Sequence, residues 1–174
     1  MATILSLAGL SFKDQHHLEA AQGWLGLGNW KEANEELENI SSQNRTHLEV
    51  LFVRFKINSV ARKWEGAYEI ARAISEAVPG ASFGVFHMAV ALHEMKRTEE
   101  AWELLLSVVD NFPNNAYMRY NLACYTCQLG KPQDAMTWLE KAIFMGAKFL
   151  NGAFTGPLEA AKMNPGNPNG TFSR

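Results

Sequence analysis

Ala33, Ala67, Ala101 and Ala135 stand 34 residues apart, and the residues around each repeat one pattern. A fixed period of this length marks a stacked helical repeat, in which each unit is one supersecondary element that cannot bury its apolar face alone. Repeat arrays are binding surfaces, so the period says far more about architecture than about what is bound.

With each alanine taken as position 20, the units run 14–47, 48–81, 82–115 and 116–149. Position 8 reads Ala21, Phe55, Ala89 and Ala123, and position 24 reads Leu37, Ala71, Leu105 and Leu139. Small side chains at positions 8 and 20 allow the two helices of a unit to cross closely. Apolar residues at 20, 24 and 27 follow the i, i+4, i+7 rule and form the buried stripe of a second helix. Position 32 reads Arg45, Pro79, Pro113 and Ala147; proline there suits a turn after that helix, which it cannot continue. Gly28 and Gly130 at position 15 fall where a first helix ends and the chain reverses. First helices are expected near 15–27, 49–61, 83–95 and 117–129, and second helices near 31–42, 65–77, 99–111 and 133–145.

Four segments carry a resemblance: Gly23–Leu37, Ala61–Ile74, Met88–Leu105 and Asn121–Ala142. Together they are similar to the tetratricopeptide repeat (TPR) family, over roughly three quarters of the chain. The second unit departs most, with Arg54 at apolar position 7, Phe55 at small position 8 and Asn58 at aromatic position 11. The resemblance implies an all-α fold, a right-handed α-solenoid of antiparallel helix pairs. An end repeat must hide its open face, and residues 150–163, with Pro157 opening Thr155–Met163, are expected to form a capping helix. The Pro-, Gly- and Asn-rich stretch 164–174 reads as a disordered tail. Apolar residues 1–13 read as a lead-in strand or helix docked on the first repeat, with a signal peptide as the lesser alternative.

The resemblance also implies a concave surface built from the first helices. Carried over position by position, it offers Phe52, Lys56, Phe83, Phe86, His87, Tyr117, Tyr120 and Asn121 as a partner-binding groove. An aromatic strip of this density is costly to leave in water and marks a partner site; the plainer alternative is that its rings pack between neighbouring first helices. One subclass of the family grips a partner's terminal carboxylate with cationic and amide side chains. Here those positions read Leu18, Gln22, Val53, Phe83 and His87, or one unit later Phe52, Lys56, His87, Tyr117 and Asn121. Neither set supplies the paired cations that a carboxylate needs.

Candidate chemistry is sparse. Cys124 and Cys127 form a CxxC, with His93 on the adjacent first helix as the third candidate metal ligand. Redox CxxC pairs sit at helix N-termini, whereas these fall mid-helix, so buried small cysteines are the ordinary reading. His16 and His17 read as residues preceding the first helix. No Ser-His-Asp order, HExxH, phosphate-cradling loop or GxSxG occurs. The net charge of −2 leaves no basic footprint for nucleic acid or an anionic membrane.

These readings converge on a non-catalytic, cytoplasmic protein–protein interaction module. It needs no cofactor and binds a protein or peptide partner, with no role for nucleic acid or membrane. The alternative is self-assembly: a homodimer through the N-terminal segment (Leu5, Leu7, Leu10) or the open terminal repeat.

Overall fold

A computed structural model describes residues 9–151 of the 174-residue chain, and side chains as far as residue 146. The expectations for residues 1–8, for the capping segment beyond 151 and for the tail 164–174 lie outside the described residues. Within them the fold is wholly helical, in the order α1 (Phe12–Gly26), α2 (Trp30–Glu38), α3 (Leu48–Val60), α4 (Trp64–Ala77), α5 (Ser82–Glu94), α6 (Thr98–Val108), α7 (Ala116–Gln128) and α8 (Pro132–Asn151). None of these helices is long and apolar enough to cross a membrane.

The turn between the helices of each pair recurs with the period of the sequence. Gly28, Arg62, Lys96 and Gly130 all take positive φ, between 57° and 78°. Around them the amides of Asn29, Lys63, Arg97 and Lys131 donate to the carbonyls of Trp24, Asn58, Leu92 and Thr126 at 2.8–3.1 Å. Those of Gly28, Arg62, Lys96 and Gly130 donate to Leu25, Ser59, His93 and Cys127 at 2.9–3.1 Å. This double closure satisfies carbonyls left open at a helix end and reverses the chain.

Helix ends follow local chemistry. Ser11 caps α1, accepting from the Asp14 amide at 3.1 Å, so the helix starts at Phe12, three residues ahead of the expected start near 15. α2 and α6 stop early and give way to short 3-10 turns, Ser42–Asn44 and Val109–Asn111. α8 instead overruns its expected end near 145 and reaches Asn151, because Ala147 stands where Pro79 and Pro113 interrupt the earlier units.

The chain divides into two compact units, with the boundary after Ala91, inside α5. In the first unit α1 packs on α2, α3 on α4, and α3 also touches α1 and α2. One core there gathers Leu18, Ala21, Ala33, Leu37, Ile40, Val50, Val53 and Ile57. A second gathers Leu51, Phe55, Ala67, Ala71, Ile74, Phe83 and Ala91. Ala33 and Ala67 are fully buried, as helix crossing at a small residue requires. In the second unit α7 packs on α6 and α8, and Ala101, Leu105, Met118, Leu122, Ala123 and Tyr125 are buried.

Two buried charged side chains fasten connections. Asp14 accepts from Ser11 Oγ at 2.9 Å, Ser41 Oγ at 2.7 Å, Asn44 Nδ2 at 2.7 Å and the Ser41 amide at 2.8 Å, which ties α1 to the α2–α3 connection. The Ser41 amide, then the Ser41 hydroxyl and Asn44, hold its carboxyl well below the usual carboxylate range. In the second unit the Arg119 guanidinium donates to the carbonyls of Phe112, Asn115 and Val109 at 3.0, 3.1 and 3.4 Å, bracing the chain between α6 and α7.

Candidate functional site

The residues offered for the groove separate into two sets, one in each unit. In the first unit, α3 and α5 meet along an aromatic seam. Phe52 and Phe55 approach Phe83 edge-on at 4.4 and 5.7 Å between ring centroids. His87 lies 4.0 Å from Phe83, 4.6 Å from Phe55 and 5.0 Å from Phe86. Each edge-to-face pair adds about 0.5–1.5 kcal/mol beyond its area burial. Phe55, the large residue at a small position, is thus the hub of the seam rather than a packing defect.

This geometry corrects two assignments. Phe83 and His87 are buried, so their side chains are withdrawn from any surface and act as core. Phe52 and Phe86 are half-buried on the flanks of the seam, and Lys56 is exposed beside it.

His87 holds an unusual hydrogen-bonding state. Its Nδ1–H donates to the Phe83 carbonyl at 2.8 Å, which leaves Nε2 as a lone-pair acceptor, buried and with no hydrogen-bond partner. Burial pushes the imidazole pKa down to about 4, with the nearby Lys56 charge acting in the same direction and the Phe83 carbonyl opposing. The unfolded chain takes up the proton near the ordinary value of about 6.5, so it binds more protons than the fold between those limits. Stability is therefore expected to fall by on the order of 3 kcal/mol as pH drops from about 6.5 to about 4. Urea unfolding at pH 7, 5.5 and 4 measures this; a His87→Met chain with an equally steep loss would show that another group is responsible.

In the second unit α7 presents a different face. Tyr117 and Tyr120 are 42% and 51% exposed, and Asn121 and Cys124 are half-buried on the same stripe. Cys127 is exposed two turns beyond Tyr120. The stripe follows i, i+3, i+4, i+7, i+10 spacing, so these side chains share one side of the helix. Tyr125 points the other way: it is buried, stacks on His93 at 4.7 Å and accepts from Asn121 Nδ2 at 3.3 Å. Beside it Trp102 Nε1 donates to Thr126 Oγ1 at 3.0 Å, with Lys131 over the indole.

No grouping of three or more His, Cys, Asp or Glu able to hold a metal occurs among the described residues, so His93 does not complete a metal site with the two cysteines. Both cysteines are free and reach solvent, contrary to the expectation of buried thiols. His17, expected ahead of the first helix, sits within α1 and pairs through Nδ1 with Glu36 of α2 at 2.8 Å. Asp14 and Arg119 escaped the sequence reading as structural anchors; the Ser11-x-x-Asp14 spacing, a helix-start signature, was the available signal for the first.

No family model matches this chain, and no curated protein matches its sequence. Solved structures do share its fold. A crystal structure of MamA superposes with a TM-score of 0.69 at 13% identity, covering 80% of this chain and 81% of that one. MamA from Desulfovibrio magneticus RS-1, residue 41 to its end, gives 0.69 at 12% identity, covering 78% and 76%. MamA AMB-1 gives 0.67 at 20% identity, covering 79% and 82%. Likeness at these identities concerns the fold alone. It shows an all-α chain of the α-solenoid class, built from antiparallel helix pairs in the TPR-like manner.

Proposed function

We propose that this chain is a non-catalytic protein-interaction scaffold of four TPR-like repeats whose α7 face receives a peptide segment of another protein. The observation that carries the reading is the exposure of Tyr117 and Tyr120, neighbours on one helix that the core leaves in water. Tyrosine combines a large apolar ring with a hydroxyl that needs a partner, and such residues dominate the energy of recognition surfaces. Asn121 supplies an amide beside them. The stripe holds no cation, so the reading favours a segment bearing apolar anchors over one recognised by its carboxylates. In the first unit, Phe52, Phe86 and Lys56 form a smaller apolar surface with a positive charge at its edge.

Peptides selected from a random library on the wild-type chain test this. Tyr117→Ala/Tyr120→Ala is expected to weaken the selected peptides by about 30-fold or more, the effect of losing a hot spot of about 2 kcal/mol. Helicity should stay unchanged, because neither ring is core. Equal binding by the variant would move the site off α7, and Phe52→Ala/Phe86→Ala then tests the first unit.

A second reading, self-assembly, draws on α8, which exposes Met136, Ile143 and Phe144 at 53–64%. A mass that doubles with concentration, with no peptide selected, would replace the first reading with this one.

A further inference from the structure

Cys124 and Cys127 are the chain's two thiols, and the proposed scaffold role makes no use of their pairing. Three residues apart on a helix, their Cβ atoms stand about 5–6 Å from each other. A disulfide requires about 3.5–4.5 Å, and α7 continues unbroken from Ala116 to Gln128, so direct oxidation would have to distort the helix. A cation bridging two thiolates, with metal–sulfur bonds of about 2.3 Å on each side, spans that gap without such distortion.

The number of donors decides which cation. No third His, Cys, Asp or Glu joins the pair among the described residues. Zinc, which takes four ligands in structural sites, is left half-coordinated by two thiols. Cuprous copper is selected by thiolates and is satisfied by two. Tyr120 stands one turn before Cys124 on the same stripe of α7, a spacing that lets it orient the sulfur from outside the coordination shell.

We propose that Cys124 and Cys127 form a two-thiolate site for Cu(I) on the outer face of α7, with Tyr120 as the positioning residue. Loading ionises both thiols: one Cu(I) is bound, two S–H protons pass to solvent, and no electron is transferred.

The reduced full-length chain is titrated anaerobically against the coloured Cu(I)–bicinchoninate complex. One equivalent of copper should leave the chelator per chain. Cys124→Ser and Cys127→Ser should each weaken uptake at least 10-fold, Tyr120→Phe about 10-fold, and His93→Ala not at all. Far-UV circular dichroism checks that each variant stays folded. Serine variants that withdraw as much copper as the wild type, a wild type that withdraws none, or equal uptake of Zn(II) would each overturn the site. Tyr120→Phe at wild-type affinity would remove tyrosine from it. No partner protein enters the titration, so a negative result leaves the scaffold reading standing.

Discussion

Gly84→Ala is expected to be among the most damaging single-methyl substitutions in the chain. A Cβ built on Gly84 would sit 2.5 Å from the backbone nitrogen of Ser75 and 2.6 Å from its Cα and Cβ. The obstruction is helix backbone, which cannot rotate aside as a side-chain tip can, so α5 must shift away from α4. That shift would loosen the Phe83 and His87 contacts that close the aromatic seam. Overpacking of this kind costs about 1–3 kcal/mol where neighbours yield; here about 3 kcal/mol or more is expected, lowering the melting temperature by about 10 °C. Gly23→Ala is the control, since nothing lies within 4 Å of its Cβ and α1 is helical there. It should raise stability by about 0.5–1 kcal/mol. Equal thermal midpoints for the two variants would show that α4 and α5 do not approach as closely as described.

Asp14→Ala is expected to cost a comparable amount by a different route. Deleting the carboxylate removes four hydrogen bonds to an ionised acceptor and leaves the Ser41 amide and Asn44 Nδ2 without their partner. A hydrogen bond to a charged group contributes about 1.5–3 kcal/mol net; the freed donors regain some water, and a loss of about 3 kcal/mol follows. Because the folded carboxyl titrates below its unfolded value, the fold binds fewer protons than the unfolded chain. The contribution is therefore complete above about pH 4 and fades as pH falls further. Histidine 87 acts in a higher window, from about 6.5 down to about 4. Denaturant unfolding at pH 7 and pH 3 separates the two: the difference between Asp14→Ala and the wild type should be smaller at pH 3 than at pH 7 by about 1 kcal/mol. A constant difference would mean that the loss is packing rather than ionic hydrogen bonding.

What was legible in the sequence is what repeats. Helix pairs and the small residues at crossings recur every 34 positions, so each copy reinforces the inference drawn from the others. What was not legible depends on a partner that the period does not encode. Period assigns Phe83 and His87 a helix face, but how deeply they sit is set by Phe52 and Phe55 on α3, and Phe55 breaks the pattern. The anchoring role of Asp14 lies outside the period, because its partners, Ser41 and Asn44, stand about 30 residues on, in an irregular connection. Gly84 drew no notice since no other unit has a glycine at that position. For α8 the signal was an absence: without a proline at 147, nothing marked its end.

The four left-handed turns carry one more implication. Two are held by glycine and two by the long cationic side chains of Arg62 and Lys96, which adopt the same backbone shape at an energetic disadvantage. A chain that folds with this conformational debt at two joints holds latent robustness. Glycine at these two joints would offset the damage of new side chains elsewhere, so the exposed helix faces are free to diversify while the fold persists.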